Sequence, residues 1–495
     1  MNRATPESKG ISSRHLVKML KKIDRLRIPM HSLLIARGDD VLLDAYWAPF
    51  NENTHHRMNS VTKSFVALAV GKLIEEGRLS LDDRAVDFLP EAEEYDVPEE
   101  RRRETVRDLL TMRTCYTLRP GKHWVRYKLY DRIRTYLTNP VDKPSGSMFY
   151  YDSLGSYILT VIVERIVGKP FLEYLKESFL GEIGFSSDAR CITDAMGYSW
   201  GDSGLLCTAR DLYIVGKFIR QGGVWNGKRY MNEQFLHDAV SCISSSASSG
   251  NVMANSSHGY GYQIWHEIEG GFGFHGMGMQ YMICIPKLDF YLVCTADTQG
   301  YDEARAIFLD MYEELVREGI CDTPLAEDPE SYRELCEYAS SLQLTSVMGE
   351  RRSEIAEYVK DTRYILDENP MDIRSLTLRI SDEGGELIYE TPAGERHLPF
   401  GMLSNVMGEF DHDGYDNLII GESPKGYKHP MAASAAWIDR ETLLISAHMI
   451  GNHLGRLNIR LSFTADRIAV EMKKTTNCFL NEYEGYAIGR KSAVL

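Results

Sequence analysis

The sequence predicts an α/β (α+β) fold: an antiparallel sheet flanked by helices, with an inserted helical region, followed by a smaller C-terminal all-β domain. Three observations support this fold class. Apolar β-prone runs open the chain, a mostly helical pattern extends to about residue 190, and strands return from about residue 200. Beyond about residue 365 the pattern changes to β-prone runs separated by turns. Strands interrupted by helices are typical of layered sheet-and-helix domains, so the change near 365 marks a second unit.

The first elements are a hairpin and a helix. Apolar runs at 31–36 and 41–46 flank Gly-Asp-Asp at 38–40, which is typical of a β-hairpin turn. The first clear helix is predicted from Ser60 to Glu76, because apolar residues recur there at helical spacing and Gly77 follows as a C-cap.

The domain boundaries follow from these changes of pattern. We expect a sheet-and-helix domain over residues 1–325 with a helical insertion at about 80–190. A connector over 326–364 and a β-rich domain over 365–495 follow. The segment 320–346 is acidic and carries two prolines, as segments between domains commonly do.

Charge and composition exclude several classes of function. With 56 Lys plus Arg and 71 Asp plus Glu, the formal net charge is −15, which disfavours nucleic acid and anionic membranes as partners. The nine cysteines form no C-x-x-C pair, and no N-terminal apolar stretch or run of ~20 apolar residues is present, so we predict a cytoplasmic protein. His55-His56 has no partner pattern for zinc, so we expect no metal and no cofactor.

The strongest local signal is Ser60-Val61-Thr62-Lys63. One helical turn separates Ser60 from Lys63, so the hydroxyl and the amine share a face, about 5–6 Å apart at Cβ. A lysine whose pKa is lowered by burial can take the serine proton, and a backbone N–H at a helix start can bind an oxyanion. Taken alone, the simpler interpretation of the motif is an N-cap serine beside an exposed lysine.

Further segments provide a context for this motif. The element Phe149-Tyr150-Tyr151-Asp152-Ser153 precedes an apolar helix. With four other segments it resembles the serine β-lactamase-like family, which includes class C β-lactamases, penicillin-binding carboxypeptidases, esterases and amide hydrolases. The resemblance covers about residues 5–315 and implies a β-lactamase-like fold. The matching segments, in the family's order, are 57–65, 76–83, 105–112, 149–153 and 222–228.

The resemblance implies a catalytic set. It makes Ser60 the nucleophile, Lys63 its base, and Tyr151 the phenol that relays a proton to the leaving group. A phenol beside a cation such as Lys63 is expected to favour the phenolate or a shared proton. Asp152 either tunes the site or lies in an exposed turn. Ser153 replaces an asparagine that contacts substrate in the family, although its hydroxyl can still hydrogen-bond.

The family's third element is a strand edge written Lys-Thr-Gly or His-x-Gly, and two registers are open here. If Gly276 is the motif glycine, Phe274 takes the lysine position and the Met277 N–H completes the oxyanion hole. If His275 replaces the lysine, Met277 stands where glycine should be. We prefer the first register because Gly276 lets substrate approach the strand backbone. His275 is expected to line the pocket in either register.

The missing lysine bears on the substrate. A phenylalanine cannot bind the carboxylate of β-lactams or D-Ala-D-Ala peptides, so we expect weak β-lactam hydrolysis and a small ester, amide or short peptide as substrate. An arginine such as Arg119 or Arg126 could supply anion binding instead. The altered third motif also favours a competing hypothesis, a ligand-binding or sensing module that acylates slowly. The C-terminal domain either shapes the cleft or pairs two chains into a homo-oligomer.

Overall fold

A computed structural model describes residues 2–116, 131–246, 258–411, 428–476 and 479–492. Arg119 and Arg126, proposed above as anion-binding residues, lie outside the described residues. The described chain divides into two compact units, one formed by 2–298 with 303–343 and the other by 299–302 with the rest of the chain from 344.

The first unit is built on a sheet with helices on its faces. Its strands are β1 (Asn2–Arg3), β2 (Met30–Arg37), β3 (Asp40–Tyr46), β4 (His56–Arg57), β5 (Arg190–Cys191), β6 (Leu205–Cys207), β7 (Val224–Trp225), β8 (Lys228–Arg229), β9 (Trp265–His266), β10 (Phe272–Gly276), β11 (Gln280–Ile285) and β12 (Phe290–Ala296). Across the described ranges, seven of them form the sheet β1-β3-β2-β12-β11-β10-β9. Neighbouring strands are antiparallel except β1 and β3, which are parallel. The predicted antiparallel sheet is therefore confirmed apart from one edge strand.

The helices of this unit include the predicted insertion. They are α1 (Ser13–Arg25), α2 (Thr62–Glu75), α3 (Glu99–Arg103), α4 (Val106–Leu110), α5 (Arg132–Thr138), α6 (Ser153–Val167), α7 (Phe171–Leu175), α8 (Gly181–Ile183), α9 (Ala209–Arg220), α10 (Glu233–Val240), α11 (Asp302–Glu318) and α12 (Pro329–Ser341). Helix α6 is apolar along most of its length and packs against α2, α4, α5 and α7. The insertion thus surrounds a buried helix, as expected for a segment that is hydrophobic on all sides.

Strand register decides which side chains face the core. Leu34, Val293, Met282 and Phe274 are aligned across β2, β12, β11 and β10, and all are buried in one core with α2, α6 and α9. Since side chains alternate along a strand, His275 lies on the opposite face of β10.

The segment expected to be a connector contains a helix of the first unit. Helix α12 packs against α1 and β3. Lys21 pairs with Glu334 at 2.6 Å, and the Tyr338 hydroxyl donates to Asp24 at 2.7 Å. The first unit therefore extends past the expected boundary at residue 325 to residue 343.

The second unit is the predicted all-β domain. Its elements are α13 (Ala356–Val359), β13 (Arg363–Leu366), β14 (Ser375–Ile380), β15 (Gly384–Thr391), β16 (Gly394–Met402), β17 (Val406–Asp411), β18 (Lys428–Trp437), β19 (Thr442–Ile450), β20 (Leu454–Phe463), β21 (Arg467–Lys474) and β22 (Gly485–Lys491). In the part of the chain that is described, ten strands follow the order β16-β15-β14-β13-β22-β21-β20-β19-β18-β17, and β16 also pairs with β18. This last pairing, between β16 and β18, closes the sheet into a barrel.

Within the described ranges, no helix is both long and apolar enough to cross a membrane.

Candidate active site

Ser60 lies in a 3-10 turn, Asn59–Val61, that leads into α2. Asn59 adopts a left-handed conformation with φ 48°, which asparagine tolerates better than most residues. Its side-chain amide donates to the Met277 carbonyl at 2.9 Å. The N-cap of α2 is Val61, so the interpretation of Ser60 as a helix cap is wrong.

Lys63 is buried next to Ser60. Lys63 is 1% exposed. Its Nζ donates to the Ser60 hydroxyl at 2.9 Å and to the Asp202 carbonyl at 2.7 Å. Burial lowers the pKa of Lys63 to about 8, although the charge of Asp202 opposes this effect. A substantial fraction of the amine is therefore neutral near pH 8, as a general base requires.

Tyr151 lies beside this pair. The Lys63 amine is 5.0 Å from the centroid of the Tyr151 ring. Burial raises the pKa of the Tyr151 phenol well above its ordinary value, while a hydrogen bond with Ser60 acts in the opposite direction. The environment thus favours the phenol and not the phenolate, contrary to the expectation from a neighbouring cation. Burial is the largest cause, because a phenolate here would lose most of its hydration, and the negative charge of Asp202 acts in the same direction.

Asp152 is buried at the start of α6. It is 4% exposed and caps the helix, because its carboxylate accepts the Leu154 N–H at 2.9 Å and the Thr114 hydroxyl at 3.2 Å. It is therefore not an exposed turn residue, and its charge acts on Lys63, as the first of the two alternatives expected. Ser153 is the first residue of α6 and is not among the residues that line the cleft described below.

The strand β10 passes the Ser60 turn at very short range. A Cβ atom on Gly276 would lie 2.3 Å from the Met58 carbonyl oxygen, so only glycine allows this approach. The carbonyl of Met277, the next residue, accepts hydrogen bonds from Asn59 and from the Gln280 side chain, both at 2.9 Å. The backbone at Met277 is thereby fixed next to the turn that carries Ser60.

Phe274 and His275 face opposite sides of β10. Phe274 is fully buried and packs edge-on against Phe65 of α2, with ring centroids 6.2 Å apart. His275 Nε2 lies 2.5 Å from Glu267 Oε1. Trp265 stacks between two of the predicted site residues: its ring is 5.6 Å from His275 and 5.5 Å from Tyr151, each with an interplanar angle of 19°. The rings of Tyr151, Trp265 and His275 thus form one stack.

A cleft adjoins this stack. Tyr151, Trp265, His275 and Gly276 line it, together with Arg305 from α11. The Arg305 guanidinium donates to the Tyr281 hydroxyl at 2.7 Å. Arg305 thus brings a positive charge to this cleft. No group of three or more His, Cys, Asp or Glu residues that could hold a metal occurs in the described ranges.

Several residues of this site were missed at the sequence level. Trp265 and Arg305 belong to no motif. Trp265 is placed at the cleft by β9 of the sheet, and Arg305 is placed there by α11. Asp202 stands in the segment Trp200-Gly201-Asp202-Ser203-Gly204, whose two glycines indicate close packing but not a contact with Lys63.

Comparison with known proteins agrees with this fold. The family model described as Beta-lactamase matches residues 16–310, which is more than half of the chain. The chain therefore belongs to the beta-lactamase family.

Two curated relatives and one solved structure extend this comparison. The 6-aminohexanoate-dimer hydrolase of Paenarthrobacter ureafaciens is 28% identical over 42% of this chain, and the esterase EstB of Burkholderia gladioli is 31% identical over 25%. The chain spans 56% and 35% of the lengths of these two relatives. A Bacillus anthracis protein provisionally named 6-aminohexanoate-dimer hydrolase superposes with a TM-score of 0.52 and 21% identity, over 64% of this chain and 86% of that one. The structural match supports the fold.

Proposed function

We propose that the protein is a serine hydrolase that cleaves an ester or amide bond of a small substrate through an acyl-enzyme on Ser60. The observation that carries this proposal is the buried Lys63 amine, 2.9 Å from the Ser60 hydroxyl. A lysine is rarely buried without a partner charge unless its neutral form has a use. Membership of the beta-lactamase family and relatives named as hydrolases support the same reaction class.

In the acylation step, neutral Lys63 takes the proton of the Ser60 hydroxyl as the oxygen attacks the substrate carbonyl carbon. The carbonyl electron pair moves to its oxygen, which the backbone N–H groups of Ser60 and Met277 stabilise. Each such donor contributes about 3–4 kcal/mol to lowering the barrier. Collapse of the intermediate breaks the bond to the leaving group, which takes the Tyr151 proton, and Lys63 returns its proton to Tyr151.

Deacylation uses the same groups in reverse. Water, deprotonated on the Lys63 and Tyr151 side, attacks the acyl-enzyme carbonyl carbon. The bond from the acyl carbon to Ser60 Oγ breaks, the acid product leaves, and the Ser60 hydroxyl is restored by the proton that Lys63 took. The reaction needs no group besides water and the substrate.

The first register of the third motif fits this proposal. Phe274 is buried in the core, where it replaces the lysine, and Gly276 passes the Ser60 turn. Weak β-lactam hydrolysis follows, because a phenylalanine offers no charge to a carboxylate. The names of the relatives favour an amide or an ester as substrate. Eight cysteines of the described residues are free thiols, which supports the cytoplasmic location that we propose.

Turnover of a p-nitrophenyl acyl ester, compared between wild type and Ser60→Ala, tests the proposal. We expect steady turnover by wild type and none by the variant. Turnover that survives in Ser60→Ala would place the reaction elsewhere, and a folded wild type without turnover would favour the ligand-binding module. Nitrocefin separates the substrate classes: substantial Ser60-dependent hydrolysis would contradict the argument from Phe274.

A further inference from the structure

The second contact of the Lys63 amine leads to a buried ion pair. The Asp202 carbonyl accepts from Lys63 Nζ at 2.7 Å, and the carboxylate of the same residue lies 3.0 Å from the Arg132 guanidinium. The two charged side chains are 5% and 3% exposed. Asp202 thus contacts Lys63 through its backbone carbonyl and forms the ion pair with Arg132 through its side chain.

The loop that carries Asp202 is packed tightly. The Trp200 ring has the Arg57 guanidinium 4.6 Å from its centroid and the Arg132 guanidinium at 5.9 Å. A Cβ on Gly201 would lie 1.8 Å from Thr160 Oγ1 of α6. The Asp202 carbonyl therefore cannot follow a displaced Lys63 without repacking this loop.

The charges around Lys63 oppose each other. The titratable and charged groups that face its amine are Tyr151 and Asp152 at the start of α6, Arg132 of α5 and Asp202. The positive Arg132 disfavours the lysinium form, whereas the negative Asp202 favours it. Arg132 is the first residue of α5, so this charge is supplied by the helical insertion.

We propose that the Arg132–Asp202 ion pair is a positioning pair, which holds the Lys63 amine against Ser60 and balances the charge around it. This inference rests on the proposed function. Neither residue contacts the reacting atoms through its side chain, and both act on the reaction through Lys63. The competing explanation is that the pair only stabilises the loop.

Single neutralising substitutions separate the two explanations. The readout is the second-order rate at which a fluorophosphonate probe modifies Ser60, measured against pH in Arg132→Gln and Asp202→Asn. The acid limb is the pH range in which this rate falls as Lys63 becomes protonated. Arg132→Gln removes a positive charge and should move the limb to higher pH by about one unit, whereas Asp202→Asn removes a negative charge and should move it to lower pH by about as much. The double variant should return close to the wild-type limb, and Arg132→Lys should keep it.

A second buried ion pair is the matched control. Arg101 and Glu104 are 2.7 Å apart, with side chains 1% and 0% exposed, and neither is among the charges that act on Lys63. Arg101→Gln should destabilise the protein without moving the acid limb. The proposed charge balance is wrong if Arg132→Gln and Asp202→Asn also destabilise the protein without moving the acid limb. It is also wrong if both variants move the limb in the same direction.

The inference and the proposed function can fail separately. If wild type reacts with the probe at Ser60 while the limb stays fixed in both variants, only the inference fails. If wild type does not react, the hydrolase proposal fails. The inference is then tested by the titration of the Lys63 amine, followed by NMR of [ε-¹³C]lysine-labelled protein. Lys63→Met identifies the signal of Lys63. Opposite shifts of that titration in the two variants would still support the charge balance, and unchanged titration would refute it. Should one single variant not fold, the other single variant and Arg101→Gln supply the comparison: a limb that moves only in the former supports the charge balance, and a limb fixed in both refutes it.

Discussion

Gly276 approaches the Met58 carbonyl oxygen so closely that a Cβ on Gly276 would lie 2.3 Å from it. The edge of the sheet and the turn of the nucleophile are therefore in backbone contact, and the position of the Met277 N–H relative to Ser60 depends on this contact. No side chain fits between the two segments.

Substitution Gly276→Ala should separate β10 from the Ser60 turn. We expect kcat to fall by about 10²–10³, as for the loss of one oxyanion donor. The control is Gly216→Ala in α9, where a Cβ would lie 2.5 Å from the Met282 sulfur and disturb the same sheet away from the site. Ester turnover and thermal unfolding of both variants are the measurements. Equal losses of kcat in the two variants would show that Gly276 acts through stability alone.

The pH dependence should report Lys63. Because its pKa is lowered to about 8, the base is protonated and inactive at lower pH, so kcat/KM should rise tenfold per pH unit and level off above about 8. Lys63→Arg should lose activity by about 10²–10⁴ at every pH, since a guanidinium stays charged. Lys72→Met, on the same helix, is the control and should keep the wild-type profile. A flat wild-type profile from pH 5 to 9 would argue against Lys63 as the base.

The buried lysine should reduce stability. A group with a folded pKa below its unfolded value binds fewer protons when folded, so wild type gains stability as pH rises from about 8 to the ordinary lysine pKa of 10.5. Below pH 8 the cost of burying the charge is fully present. Lys63→Met should therefore be more stable than wild type at pH 7, by about 1 kcal/mol or more, with a difference that narrows above pH 8. Urea unfolding at pH 7 and pH 10 measures both values, and a less stable variant at pH 7 would contradict the account.

Tyr151 should matter most when the leaving group needs a proton. We expect Tyr151→Phe to lower amide hydrolysis by about 10²–10⁴, and to change p-nitrophenyl ester hydrolysis much less because p-nitrophenolate leaves without protonation. Tyr260→Phe is the matched control, since that buried tyrosine packs edge-on against Tyr151 at 6.3 Å. Equal losses on both substrates would show that the phenol positions groups instead of donating a proton.

Local patterns predicted much of the first unit. Apolar spacing located α2, and the turn sequence located the β2–β3 hairpin. The spacing of Ser60 and Lys63 predicted that they share a face, and the two side chains are in contact although Ser60 lies in the 3-10 turn before α2. Strand β9 is only two residues long, Trp265–His266, and does not include Gln263. Gln263 has a positive φ of 57°, and its side chain donates to the backbone of α4.

The remaining features depend on tertiary structure. Lys63 and Asp202 are 139 residues apart, and a hydrogen bond to the backbone carbonyl of Asp202 leaves no motif in the sequence. The Tyr151–Trp265–His275 stack likewise joins three segments whose alignment is set by the sheet. The role of Asp152 was within reach of sequence, because an aspartate directly before an apolar helix is a common N-cap.

The most direct test of the central claim is the intact mass of the protein after exposure to a fluorophosphonate probe, with wild type and Ser60→Ala measured in parallel. An activated Ser60 predicts a single adduct on wild type and none on the variant. Absence of an adduct on folded wild type, or an equal adduct on Ser60→Ala, would contradict the assignment of Ser60 as the nucleophile.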